Sequence, residues 1–394
     1  MTLVARTRRL DRDVDLLAVA GRHGVLFEQH GGGFAGRGEA MRIEGADRVQ
    51  ESLAGVVVDD EVAAPGTGPV AFAAIPFRGA STFVVPEIVV GRADDGTRWV
   101  TTVGDAETEP VLEAADAAVE APTSFSVRPG RDPDSWCDAV AAAVAEMRTG
   151  GLEKVVLARE VIVEADAPID VVAVLGRLRA AYPTAFTYSI DGFVGASPEL
   201  LVSRTGDIVR SQPMAGTTPR TGDPTTDARL AASLLASAKD RAEHQVTIDT
   251  VLDAVLPFCS YVDSEPEPSI VSLANVQHLA SLVEGRLSSP PASVLTLVDA
   301  LHPTPAVCGF PRSAALEVIA RLEGFDRGRY AGAVGWVDRA GNGRFAVSIR
   351  CAQIDGRVAR LFAGNGIVAD SDPATELAET RAKLQALLAA LIRP

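Results

Sequence analysis

Two stretches of this sequence place carboxylates where they could hold a cation. Asp372-Pro373 is a cap followed by proline at the first helical position, so a helix should start there. Along it Glu376, Glu379 and Lys383 recur at i, i+3 and i+7 and share one face. Such a face is either a solvated, dipole-favoured helix start or a cation site. Phe362-Ala363-Gly364-Asn365-Gly366-Ile367 just before it strengthens the second reading, because two glycines at a strand end can offer backbone N–H groups to a ligand. In Lys239-Asp240-Arg241-Ala242-Glu243-His244-Gln245, Glu243 abuts the apolar stripe Val246, Ile248, Val251, Leu252 and Val255. It is a mere flank of that stripe or a partly buried ligand. Oxygen ligands from two helices would suit Mg²⁺, which takes few carboxylates and keeps waters for a substrate.

Two further residues could move protons. Lys154 stands where a strand begins, in Glu153-Lys154-Val155-Val156-Leu157-Ala158-Arg159. In an apolar pocket its ammonium pKa would fall, as a general base requires; the alternative is a surface lysine at a strand edge. Glu199 lies in Gly195-Ala196-Ser197-Pro198-Glu199-Leu200-Leu201, a turn between apolar strands. Buried there, its pKa would rise and it could act as an acid; otherwise it is an ordinary turn carboxylate. The glycine-rich run 30–38 lacks the Gly-Lys-Ser/Thr of a phosphate loop, and Glu39–Ile43 after it looks strand-like, so it reads as a turn between strands.

The elements that must position these residues are mixed. Residues 1 to about 103 read as β-rich, with strands at Gly55–Val58, Val70–Ile75, Ser81–Val90 and Arg98–Val103. The Asp-, Glu-, Ala- and Pro-rich stretch 104–134 reads as a connection with room for a short helix. Asp134 or Ser135 could cap a helix over 136–149. Strands are expected at Val155–Val163, Ala185–Ile190, Phe193–Ser197, Leu200–Arg204, Ile208–Pro213, 269–275, 277–285, 331–338, 343–354 and 358–364, with helices at 169–181, 225–256, 293–300, 312–322 and 373–392. Runs of neighbouring strands punctuated by helices indicate α+β with antiparallel sheets.

Composition bounds what such a site could serve. The 394 residues sum to a net charge of −15, which disfavours nucleic acid and anionic membranes as partners. An anionic substrate would therefore need a cation or a local basic pocket. Cys137, Cys259, Cys308 and Cys351 show no metal-type spacing and read as reduced thiols. With no apolar signal segment and no run of about 18 apolar residues, a soluble cytoplasmic protein is expected.

Taken in order, Glu153–Arg159, GASPELL (195–201), PMAGT-x-PR (213–220), KDRAEH (239–244), NVQHL (275–279), LHPTPAVCGFP (301–311), RYAGAVGW (329–336), SIRCAQI (348–354), and AGNGIV (363–368) with E-x-x-E-x-x-x-K (376–383) resemble the chorismate-utilising enzymes. The match covers about 135–394, and it is specific because nine motifs occur in order. The resemblance implies one two-lobed α+β body, an antiparallel β-sandwich with outer helices and the site between the lobes. Residues 1–130 would be a divergent part of the same fold and 131–394 the chorismate-binding region.

Subgroups of the family differ in nucleophile. Aminodeoxychorismate synthases carry a lysine where this chain has Ala215, and anthranilate synthases lack a lysine matching Lys154. A lysine at 154 marks the water-using members, the isochorismate and salicylate synthases. Lyase-competent relatives tend to have Thr where this chain has Ala306. The resemblance thus implies isochorismate synthase activity, with salicylate synthase or a non-catalytic chorismate-binding subunit as alternatives. It implies Lys154 as base, Glu199 as acid, and Mg²⁺ on Glu243, Glu376 and Glu379. It implies substrate contacts from Ser197, Thr217, His278, Ala306, Tyr330, Arg350, Gly364, Gly366 and Lys383. A monomer without an amidotransferase partner is expected.

Overall fold

Strands whose every residue is apolar or small need cover on both faces of their sheet. In Phe186–Ile190 and Phe193–Ser197 all five residues are buried. The computed structural model, which describes residues 3–104, 110–114, 120–273 and 276–392, shows how that cover is supplied. A large sheet runs in the order Phe125–Pro129, Lys154–Ala165, Val358–Ile367, Cys351–Asp355, Phe193–Ser197, Phe186–Ile190, Val25–Gln29, Gly32–Arg37, Ile88–Arg92, Arg98–Val103, Val4–Arg9, Val57–Asp60. The short strand Gly309–Phe310 pairs with the start of Lys154–Ala165, on the same edge as Phe125–Pro129. A second sheet runs Cys259–Ser264, Val283–Leu287, Ile208–Gln212, Leu200–Thr205, Gly343–Val347, Ala333–Asp338, Val70–Ile75, Thr82–Val85, Met41–Glu44. A small sheet joins Met214–Pro219, Val276–Ala280 and Ser269–Ser272. Pairing is antiparallel, as expected, except for the parallel pair Val4–Arg9 with Val57–Asp60.

The period of two decides which side each residue serves. Phe27 and Phe34 of the large sheet enter the core shared with Phe72 and Phe83 of the second sheet. Their neighbours Leu26 and Ala35 enter the opposite core, under the helices Leu16–Ala20, Val171–Ala181 and Pro373–Ile392. Phe34 sits 4.6 Å from the Trp336 ring, tying the two sheets. Each such buried side chain is worth roughly 1.5–3 kcal/mol.

Three links between sheets lie side by side and matter for function. Pro198 and Glu199 carry the chain from Phe193–Ser197 in the large sheet to Leu200–Thr205 in the second. Ser348, Ile349 and Arg350 carry it back, from Gly343–Val347 to Cys351–Asp355. Pro213 leads from Ile208–Gln212 to the small sheet. The links are bonded together: Val347 N–H donates to Glu199 O (3.0 Å) and Ala196 N–H to Arg350 O (3.1 Å).

The expected strands at 343–354 and 277–285 are each two strands, because the chain changes sheet at 348–350 and turns at 281–282. The expected strand Ser81–Val90 is broken after Val85, where Pro86 lacks a ladder N–H. The expected helix 225–256 is two, Pro224–Ala236 and Ala238–Val255, the second capped by Ser237 Oγ accepting from Asp240 N. Asp132, not Asp134 or Ser135, caps Pro133–Met147. Residues 105–109 and 115–119 of the expected connection, residues 274–275 of the expected strand 269–275, and with them Asn275 of the NVQHL motif, lie outside the described residues. Among the described residues no helix is long and apolar enough to cross a membrane.

Candidate active site

A cleft of about 240 Å³ opens beside the three inter-sheet links. It is smaller than the roughly 300–1,000 Å³ of pockets that take drug-sized ligands. Lys154, Glu199, Thr217, Glu243, His278, Ala306, Tyr330, Arg350, Gly364, Gly366, Glu376, Glu379 and Lys383 all line it. Ser197 does not: it is fully buried, and its hydroxyl accepts from Glu199 N–H at 3.3 Å. The residue types around Glu199 are therefore as expected, but strand alternation turns Ser197 away from the cleft and makes it a support for the turn. Asp240 also lines the cleft, one helical turn before Glu243, and was not singled out from the sequence; its i, i+3 spacing from Glu243 was the available signal.

Glu199 is 5% exposed. Burial pushes its carboxyl up to about 7, against the Met214 backbone hydrogen bond and the charges of Arg350 and Lys154. A carboxylic acid that is half protonated near neutrality can donate a proton. The inter-sheet link explains this: Pro198-Glu199 is enclosed between two sheets, not at a solvent-facing turn.

Lys154 begins Lys154–Ala165, and its Nζ lies 2.6 Å from Glu243 Oε1. Lys154 is thus neither a surface lysine nor set in an apolar pocket: it is mostly buried and paired with a carboxylate. Burial opposes the Glu243 carboxylate, but the Lys154 ammonium, with Lys239 and Lys383 farther off, brings its pKa below the ordinary value. Gly366 makes room for the lysine: a Cβ there would come within 2.6 Å of Lys154 Cε.

The two glycines of the 363–366 run face the cleft for a reason visible in the ladder. Val156 pairs with Gly366 and Ala158 with Gly364. Val156 and Ala158 send their N–H groups to the opposite edge, to Cys308 O and Glu323 Oε1. Gly366 and Gly364 are therefore in non-hydrogen-bonded pairs and turn their own backbone groups to their far edge. The neighbouring strand Cys351–Asp355 stops pairing there at Ala352–Leu361. On that edge Lys383 Nζ donates to Gly364 O (3.0 Å) and Asn365 Oδ1 (2.7 Å), and pairs with Glu379 Oε1 (2.8 Å). Burial draws the Lys383 ammonium below its ordinary value, while Glu379 holds it up.

Glu376 is engaged differently. Its oxygens accept from Ser371 Oγ (2.7 Å) and Asn365 Nδ2 (2.9 Å). Among the described residues no three His, Cys, Asp or Glu side chains converge as a metal cluster. Glu243 and Glu379 instead face the cleft on separate helices, each against a lysine. That donor set is all carboxylate oxygen, and two carboxylates suffice for a Mg²⁺ that keeps waters and substrate oxygens. The chemistry of the residues present fits that ion.

Arg350 occupies the left-handed region (φ 53°), as does Ala331 (φ 61°). For a non-glycine this costs roughly 1–3 kcal/mol, and the surrounding bonds must enforce it. Among the described residues the Arg350 guanidinium has no hydrogen-bond or ion-pair partner, although it lines the cleft. It is a cation held ready for an anion. Tyr330 is stacked on Phe362 at 5.3 Å, with burial raising its pKa far above the ordinary value. His278 Nδ1 lies 3.0 Å from Thr217 Oγ1 and 3.3 Å from Gly216 O. A carbonyl only accepts, so that contact places the proton on Nδ1. Burial, helped by Arg350 and Lys383, lowers the His278 pKa to about 3, so the ring stays neutral.

A cleft with a buried acid, a lysine and an unpaired arginine between two antiparallel sheets defines an enzyme acting on a small anion. The profile of the chorismate binding enzyme family matches residues 37–392, and the chain belongs to that family. It is similar to isochorismate synthase DhbC of Bacillus subtilis, at 38% identity over 86% of this chain and 86% of that protein. It is also similar to isochorismate synthase MenF of the same organism, at 34% identity over 88% of this chain and 79% of that one. The solved structure of MenF, the menaquinone-specific isochorismate synthase from Escherichia coli, superposes with a TM-score of 0.85 at 25% identity, covering 99% of this chain and 95% of that chain.

Proposed function

We propose that the chain is an isochorismate synthase, converting chorismate to isochorismate by adding water at ring C2 with loss of the C4 hydroxyl. The observation that carries the reading is the meeting of Lys154, buried Glu199 and unpaired Arg350 in one cleft. Lys154 first gives up its ammonium proton to solvent, and as the neutral amine it takes a proton from the water that attacks C2. The ring double bonds shift, the C4–O bond breaks, and Glu199 gives its proton to the departing hydroxyl. One water enters and one leaves, and the proton balance between Lys154 and Glu199 is restored through solvent. Arg350 and Tyr330 hold the enolpyruvyl carboxylate, the arginine fork matching its two oxygens. Gly364, Gly366 and Lys383 anchor the remaining polar groups, and Thr217 and His278 line the ring site. Glu243 and Glu379, with Glu376 next to them, would hold Mg²⁺, which when bound would offset the charge of the ring carboxylate. Ala306 presents only a methyl where a hydroxyl could assist elimination of the enolpyruvyl group, so the reaction stops at isochorismate.

In this reading residues 131–394 form the chorismate-binding region and 1–130 complete the same body. Water as nucleophile requires no amidotransferase subunit, and the enzyme acts as a cytoplasmic monomer. Chorismate and Mg²⁺ without ammonia, followed by chromatographic separation, test the assignment. Isochorismate should accumulate, stop in EDTA and resume on adding Mg²⁺. Stoichiometric salicylate and pyruvate would make it a salicylate synthase, and unchanged chorismate would make it a binding subunit.

A further inference from the structure

The strand carrying Lys154 has an incomplete edge. Gly309–Phe310 pairs only with Lys154 and Val155, and Phe125–Pro129 pairs only from Val161 onward. Between them Val156 O, Ala158 N–H and Ala158 O face an edge with no strand, and buried backbone groups must be bonded. Three side chains fill the gap: Trp136 Nε1 donates to Ala158 O at 3.1 Å, and a charged pair bonds the remaining groups. Glu323 Oε1 accepts from Ala158 N–H at 2.7 Å, and Arg327 Nη2 donates to Val156 O at 2.7 Å. Glu323 and Arg327 are bonded to each other, Arg327 Nε donating to Glu323 Oε2 at 2.8 Å, and both side chains are 2% exposed. Arg327 Nη1 also donates to Val307 O at 2.8 Å, beside Ala306, and its guanidinium lies 4.2 Å from the Phe77 ring and 5.9 Å from that of Tyr330. One buried ion pair thus touches three walls of the cleft without entering it.

We propose that Glu323 and Arg327 are positioning residues: a side-chain substitute for a missing strand that fixes Lys154, the Ala306 loop and Tyr330 relative to one another. The proposal rests on the chorismate reaction above for its kinetic consequence, but not for its structural one. A guanidinium can satisfy Val156 O, Val307 O and Glu323 at once; a lysine cannot hold the same three in one plane. Arg327→Lys should therefore lower kcat roughly 10²-fold, the cost of an ångström-scale misplacement, with KM within about threefold. Amide hydrogen exchange without substrate should quicken in segments 153–160 and 304–309 and stay as in wild type elsewhere. If that variant does not fold, Glu323→Gln, which keeps an amide oxygen for Ala158 N–H and Arg327, carries the same expectations. In the wild type itself, the Ala158 amide should be among the slowest to exchange although no strand flanks it.

A folded variant with kcat within twofold of wild type, or exchange that quickens evenly over the whole chain, overturns the proposal. So does a wild-type Ala158 amide that exchanges like an exposed loop. A wild type that leaves chorismate untouched defeats the reaction instead, while the exchange pattern still decides the role of the pair.

Discussion

Replacing Glu199 by glutamine should uncouple protein stability from pH in a way that needs no substrate. The folded carboxyl titrates at about 7 against an ordinary value of 4.5, and burial is the cause. At about 1.36 kcal/mol per pH unit, that gap is worth roughly 3 kcal/mol. The sign follows from which state binds the proton more tightly. The folded state does, so wild type has the full benefit below pH 4.5 and loses it as pH rises through about 7. About 1 kcal/mol is already gone at pH 5.5, where the carboxyl ionises in the unfolded chain. Between pH 5.5 and 8.5 the wild type should therefore lose roughly 2 kcal/mol relative to Glu199→Gln, which keeps the shape and cannot ionise. Urea unfolding of both proteins at the two pH values measures it, and every other titrating group cancels in the difference. A wild-type-to-variant gap unchanged within about 0.5 kcal/mol, beyond the scatter such unfolding curves allow, would show that Glu199 is not an enclosed acid.

Three further outcomes are expected. Lys154→Ala should lower kcat by roughly 10²–10⁴-fold, the usual yield of a general base, while calorimetry finds chorismate affinity little changed; near-normal kcat would remove Lys154 from the mechanism. Gly366→Ala should leave the melting temperature within a few degrees, because its Cβ meets only the flexible end of Lys154, yet cut kcat by displacing that lysine from its place beside Glu243; unchanged kcat would mean the lysine's position is not critical. Ala306→Thr should raise the salicylate fraction by up to roughly tenfold, the scale of one hydrogen bond, as seen by chromatography of the products; an unaltered product ratio would detach Ala306 from product choice.

Much of the frame was legible because it rests on local rules. Arg98–Val103 and Arg312–Leu322 carry their boundaries in turn residues and capping positions, and Asp372 caps Pro373–Ile392 by accepting from Thr375 N at 2.9 Å. The glycine run was only partly legible: the expected turn is confined to His30-Gly31, with Gly31 at φ 77°, and Gly32–Arg37 is itself a strand paired with Val25–Gln29. What the sequence hid is non-local. Nothing in 343–354 announces that Arg350 leaves one sheet for another, since both strands are mostly buried and no glycine or proline separates them. Glu323 and Arg327 have the i, i+4 spacing of an ordinary surface pair, and only the gap beside Val156 and Ala158 makes them internal. Glu243 and Lys154 are 89 positions apart, so their contact is invisible to any pattern of spacing.

The interleaving of the sheets also dictates how this protein can be made. Val25–Gln29 pairs with Phe186–Ile190, and Val70–Ile75 pairs with Ala333–Asp338. Residues 1–100 therefore hold strands whose partners come much later in the chain, and during synthesis their edges must wait uncovered. A chain beginning at residue 131 would have the opposite fault: every group lining the cleft would be present, yet two central strands would be left as open templates for other chains. The cleft completes only when Lys383, far along the chain from Lys154, is in place. Loss of residues 1–130 should therefore yield insoluble protein before it yields a smaller enzyme.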